Sequence, residues 1–272
     1  MTKTVQGLFR PSLIALALLC AVSLQACSNP LGTPTDSELT SPDGSDVNLE
    51  ASGARALLKT NFDASSDVPK ILYQQESNND GVTISSAPWD ANQKALKLSI
   101  NRGESWHGAG YPRSEVMVSG SNSVQYNKRY VFESAFFFPD GSFVRNPAEM
   151  LALFQLHHDG GGTVPLAIYM KSGGLQLAVR KSTGSGTWYK LLTSIPTGRR
   201  VPYRLEYLGA SNSSGYVKVW IDGKLVAEHH GQTAYSGFSR VGYPKLGLYD
   251  YFKTVPGNLT VFLDDFRWYE LN

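Results

Sequence analysis

Short runs of alternating or β-branched and aromatic residues recur along most of the chain, each closed by a turn signal, and this period of two predicts strands. They are Ile71-Leu72-Tyr73, Val82-Thr83-Ile84, Ala95 to Ile100, Tyr130 to Phe138, Met150 to His157, Pro165 to Met170, Leu175 to Arg180, Tyr203 to Leu208, Tyr216 to Ile221 and Thr260 to Trp268. No stretch holds helical spacing long enough to predict a long helix. Ile221-Asp222-Gly223-Lys224 is the strongest turn, because an Asp-Gly pair between alternating runs tolerates the positive φ angles of a tight hairpin. Many short strands with Gly-rich turns and no helical crossovers predict an all-β fold of two packed antiparallel sheets, a sandwich or jelly roll.

The start of the chain follows a different pattern. Lys3 and Arg10 precede an apolar run from Leu13 to Leu24, which ends in Leu24-Gln25-Ala26-Cys27. That is the charge, hydrophobe and small-residue order of a secretory signal, and the run is too short for a stable membrane-spanning helix. The last four residues resemble the lipobox of bacterial lipoproteins, which implies cleavage before Cys27 and lipid attachment to it. Residues 1–26 are thus read as signal peptide. Ser28 after the cysteine, rather than Asp, resembles lipoproteins sent to the outer membrane. From Ser28 to about Ala56 the chain is rich in Ser, Thr, Pro, Asp and Gly, so residues 27–56 read as a lipidated cysteine and flexible linker. Residues 57–272 form the folded domain.

Of the two cysteines, Cys20 leaves with the signal, so the domain has no disulfide to form. Roughly 210 residues are enough to bury a sizeable core in one domain, and a monomer is expected. The net charge of +2 is far from the basic stripe of a nucleic-acid binder. A small excess can still be focused at a site for an acidic polymer.

Alternation also assigns faces, since successive strand side chains point to opposite sides. In Arg113-Ser114-Glu115-Val116-Met117-Val118, Arg113 and Glu115 share a face opposite Val116 and Val118. Gln155 and His157 share a face opposite Phe154 and Leu156. Lys245 and Tyr249 share a face, with Gly247 between them leaving space for a ligand and Leu246 and Leu248 behind. If these strands lie in one sheet, their polar faces assemble a groove floor. Trp106, Tyr111, Tyr243, Tyr251 and Phe252 cluster around the same segments, and aromatic rings suit the apolar faces of sugars as well as a core. Singly, each residue has an ordinary explanation: an Arg113–Glu115 surface ion pair, a packed His157, a core or edge Tyr249, a solvated Lys245. Their conjunction on one face argues for a site.

The three segments resemble the signature blocks of jelly-roll polysaccharide lyases. Arg113-Ser114-Glu115, Gln155-Leu156-His157 and Tyr243-Pro244-Lys245-Leu246-Gly247-Leu248-Tyr249 look like the Arg-Ser/Thr-Glu, Gln-x-His and Tyr-Phe-Lys-x-Gly-x-Tyr blocks of alginate lyases. Lys245 to Tyr249, Gly215 to Lys224 and Leu263-Asp264-Asp265-Phe266 are similar to heparin lyase I-like and glucuronan lyase proteins. The resemblance runs from about Asn61 to Trp268 and implies a concanavalin-like jelly roll with a concave substrate groove. Two positions depart from the alginate pattern: Met117 replaces a second Arg, and Asp250-Tyr251 replaces Asn-Gln.

The activity so implied is β-elimination on a glucuronan-, heparin- or alginate-like polymer. Removing the C5 proton beside a carboxylate makes a dianion, so the site must neutralise that carboxylate. Arg113 offers a bidentate fork and Gln155 an amide donor. His157 and Tyr249 are the acid–base pair. Lys245 and Arg113 nearby are expected to favour the Tyr249 phenolate. Tyr249 donates to the leaving oxygen, and either Tyr249 or His157 takes the C5 proton, depending on sugar stereochemistry. Lys245, Glu115, Trp106, Tyr111, Tyr243 and Tyr251 are candidate substrate contacts. No cofactor is required; Asp159 before Gly160-Gly161-Gly162, or Asp264-Asp265, are the positions for a structural calcium. A glycoside hydrolase needs two carboxylic acids across the bond, a pattern not found here. The rival reading is a non-catalytic carbohydrate-binding surface lipoprotein.

Overall fold

The computed structural model describes residues 49–50, 53–63, 72–77, 80–101, 103–105, 110–118, 122–139, 150–160, 162–252 and 257–272. The expected signal peptide, Cys27 and Trp106 lie outside them. Every regular element among the described residues is a strand. In chain order they are β1 (Arg55–Thr60), β2 (Leu72–Glu76), β3 (Val82–Ala87), β4 (Asp90–Ile100), β5 (Arg113–Val118), β6 (Arg129–Phe137), β7 (Met150–His157) and β8 (Leu166–Lys171). There follow β9 (Gly174–Ser182), β10 (Ser185–Leu192), β11 (Arg200–Leu208), β12 (Tyr216–Ile221), β13 (Lys224–His230), β14 (Tyr243–Asp250) and β15 (Leu259–Leu271).

They pair antiparallel into two sheets. One runs β13-β12-β11-β6-β15-β4-β3, with β1 on the second half of β15; the other runs β10-β9-β8-β7-β14-β5-β2. This is the expected sandwich. Between the sheets lies one apolar core, in which Phe132 of β6 meets Phe154 of β7 with ring centroids 5.2 Å apart and stacks on Trp268 of β15 at 5.7 Å. Burying such rings contributes on the order of 1.5–3 kcal/mol each, the stability a domain without disulfides must rely on. The Asp222-Gly223 turn forms as expected, with φ of 50° and 73°, and joins β12 to β13.

The ordered fold begins before the linker boundary drawn from composition. Leu49 is buried against Val131 and Tyr269, and Arg55 and Ala56 already pair with Glu270 and Tyr269. A few apolar residues in a polar stretch suffice because β15 supplies the pairing edge.

Candidate active site

The three segments singled out by alternation are β5, β14 and β7, and they are neighbours in the centre of the seven-stranded sheet. Register then aligns their outward side chains. Tyr243 pairs with His157, Lys245 with both Gln155 and Met117, Gly247 with Glu115, and Tyr249 with Arg113. Leu246, Leu248, Val116, Val118, Phe154 and Leu156 all point into the core behind. A bulge in β7 against β8 sends both Leu153 and Phe154 into the core. The extra residue inverts the alternation, so Met150 and Ala152 join Gln155 and His157 on the outward face.

Glu115 organises the centre. It is 1% exposed, and its two carboxylate oxygens accept from Lys245 Nζ and Gln155 Nε2, each at 2.7 Å. The Arg113–Glu115 surface pair is therefore not what forms, and Glu115 is a positioning group rather than a substrate contact. Lys245, also 4% exposed, is held by the same carboxylate instead of being solvated, while its side chain lines the pocket. Burial made the pairing obligatory, because an unpaired buried charge costs several kcal/mol, about 3–5.

Ser114, the middle residue of its block, donates to the Ser99 carbonyl on β4 and links the two sheets. Gly247 has φ +141°, and a Cβ there would lie 2.2 Å from the Ser114 carbonyl oxygen and 2.6 Å from Glu115 Cα. The space at Gly247 is thus required by the backbone of β5, not by a ligand as expected.

His157 offers its ring Nδ1 to the His158 carbonyl at 2.7 Å. A carbonyl only accepts, so Nδ1 carries the proton and Nε2 keeps its lone pair. No described residue bonds Nε2. Tyr243 stacks on the ring at 5.5 Å, with its hydroxyl 3.3 Å from Nδ1. Burial, and then the Lys245 charge, lower the His157 pKa below its ordinary value, which favours the neutral imidazole. His158 is buried and holds the following loop: its Nδ1 accepts from Gly160 N–H at 3.0 Å and its Nε2 donates to the Thr163 carbonyl at 3.1 Å.

Tyr249 lies beneath Arg113, whose guanidinium carbon is 4.6 Å from the ring centroid. Tyr111 meets it edge-on at 6.1 Å and stacks on Tyr251 at 5.0 Å, with Phe252 beside them. Tyr111, Tyr251 and Phe252 are exposed, a partly open aromatic wall. The Tyr249 pKa is pushed up to about 12, burial outweighing Arg113. The expected phenolate is therefore corrected: desolvation dominates, and Glu115 occupies the Lys245 ammonium. Tyr249 rests as a phenol.

The same face continues across β8 and β9 with residues that the motifs did not include. Ala152, Ala167 and Ala178 form a low floor, bordered by Tyr169, Arg180 and Trp188. Counting along β8 and β9 would have placed Tyr169 and Arg180 there. A pocket of about 230 Å³ opens over this floor, lined by Arg113, Gln155, His157, Lys245 and Tyr249 from one side and by Tyr169 and Arg180 from the other. No carboxylate lines it among the described residues. The carboxylates considered for calcium sit elsewhere, each against an arginine: Asp159 on Arg240, Asp264 and Asp265 on Arg200.

Comparison with known proteins gives the family and the fold. Residues 63–267 match the polysaccharide lyase family profile. No curated protein matches the chain in sequence. Among solved structures, an endo-β-1,4-glucuronan lyase from the fungus Trichoderma reesei is similar, with a TM-score of 0.58 at 18% identity over 78% of this chain and 94% of that one. An alginate lyase from Pseudomonas aeruginosa gives 0.52 at 16% identity, over 74% and 99%. Botulinum neurotoxin type C, which interacts with two ganglioside molecules, also gives 0.52, at 12% identity over 83% of this chain and 50% of that one. Likeness in fold thus spans lyases and a ganglioside-binding protein, and the family match decides between enzyme and binding module. The chain belongs to the polysaccharide lyase family.

Proposed function

We propose that this lyase cleaves a uronic-acid-containing polymer by β-elimination, with His157 as base and Tyr249 as acid. The observation that supports this is the meeting of Arg113, Gln155, His157, Lys245 and Tyr249 around one pocket with no carboxylate in its lining among the described residues. Arg113 neutralises the uronate carboxylate, and Gln155 and Lys245 donate to it the N–H groups that Glu115 leaves over, lowering the cost of the dianion. His157 Nε2 takes the C5 proton. The C5–H electrons form the C4–C5 double bond, the C4–O bond breaks, and the Tyr249 hydroxyl protonates the departing oxygen. A neutral imidazole and a protonated phenol are the resting states this step needs. Arg113 against the Tyr249 ring stabilises the phenolate as it forms.

Lipidation at Cys27 would hold the enzyme in the cell envelope, at the outer membrane, acting on polymer there. Incubating the domain with polyglucuronate, alginate, heparin and hyaluronate tests the reading. Ultraviolet absorbance from unsaturated uronate ends should rise on at least one; silence on all four rejects the uronate assignment. Membrane fractionation that finds the protein only in the inner membrane rejects the outer-membrane placement.

A further inference from the structure

Arg180 is 7% exposed, lines the pocket and has no carboxylate within 4 Å among the described residues. Its guanidinium donates from Nη1 to the Val164 carbonyl at 3.0 Å and from Nη2 to the Tyr169 hydroxyl at 3.3 Å, and lies 5.2 Å from the Trp188 ring centroid. Buried charges are normally paired, so a cation neutralised only by dipoles and ring faces is a standing demand for an anion. Two strand spacings, about 10 Å, separate its strand from β7, which carries Gln155 and His157. One pocket therefore holds two cationic ends, with an alanine floor between them low enough for sugar rings.

We propose that Arg180, with Tyr169, forms a second carboxylate subsite that binds a uronate adjoining the one being cleaved. The substrate class is then a polymer of consecutive uronates rather than one alternating uronate with neutral or amino sugar. This rests on the lyase reading of the same pocket, but its test needs no turnover. In the uncut background of Tyr249→Phe, retardation in native gels containing polyglucuronate or alginate reads affinity directly, with their carboxyl-reduced derivatives as controls.

Arg180→Gln should weaken binding of at least one acidic polymer tenfold or more and leave the reduced polymers unaffected. Arg180→Lys keeps charge and stem but loses the planar fork, and should weaken the same binding at least threefold; it carries the test if Arg180→Gln does not unfold cooperatively. Unchanged affinity for the acidic polymers, or equal loss on acidic and reduced ones, overturns the subsite. Wild-type protein that binds through Arg180 but produces no unsaturated ends would reject the lyase reading alone.

Discussion

The outward faces of the two sheets are built alike and charged differently. On the eight-stranded sheet Arg204 and Lys218 have carboxylates beside them: Arg204 lies 3.6 Å from Glu133 and 4.0 Å from Glu206, and Lys218 lies 3.2 Å from Glu228. On the seven-stranded sheet Arg113, Lys245 and Arg180 line a pocket that no carboxylate lines among the described residues, and Glu115 sits buried beneath. Alternation produces both faces equally well. What distinguishes the ligand face is Arg180, a buried cation with no carboxylate within 4 Å among the described residues, together with an alanine floor where large side chains would otherwise close the surface.

The sharpest way to break this comparison is at the reacting groups. Tyr249→Phe and His157→Ala should each lower turnover by about 10²–10⁴-fold, the usual worth of a positioned acid or base, with little change in the unfolding midpoint. Loss of folding in both would make them structural residues. Next in size is Glu115→Ala, which leaves Lys245 buried without its partner and frees the Gln155 amide. Denaturant unfolding should show a loss of about 3–5 kcal/mol, and activity should fall with it. A stability within 1 kcal/mol of the parent, about the worth of an exposed pair, would mean the pair is solvated after all.

The pH profile sharpens the roles. A base acts when deprotonated, and the His157 pKa lies below the ordinary 6.5, so the acid limb of kcat/KM should fall below pH 6.5. An acid acts when protonated, and Tyr249 is pushed up to about 12, so no alkaline loss from it should appear through pH 9. A rate that instead climbs steadily with pH above 8 would assign the C5 proton to a Tyr249 phenolate. The smallest effect belongs to the other face: Arg204→Ala should cost about 0–1 kcal/mol and leave lyase activity unchanged.

The sequence disclosed the faces of β5, β7 and β14 because a period of two survives in any antiparallel sheet. It did not disclose depth. Glu115 and Val116 alternate as an exposed acid and a core residue would, yet Glu115 is buried, since β14 and β2 flank its strand on both sides. The resting state of Tyr249 was misjudged for the same reason: proximity to cations can be counted along a chain, whereas desolvation depends on what packs around the ring. β1 and β10 were absent from the strand pattern. The first sits in a polar segment and is held by β15; the second is mostly exposed and is held through its backbone by β9. The subsite residues Tyr169 and Arg180 lay in plain alternation, but no motif pointed at them.

The point where the chain joins the domain has a mechanical consequence. Leu49 packs on Val131 and Tyr269, and β1 runs along β15, so the attachment is to the sheet that does not bear the pocket. Force applied to the chain at Leu49 would load the back of the sandwich, the sheet away from the pocket.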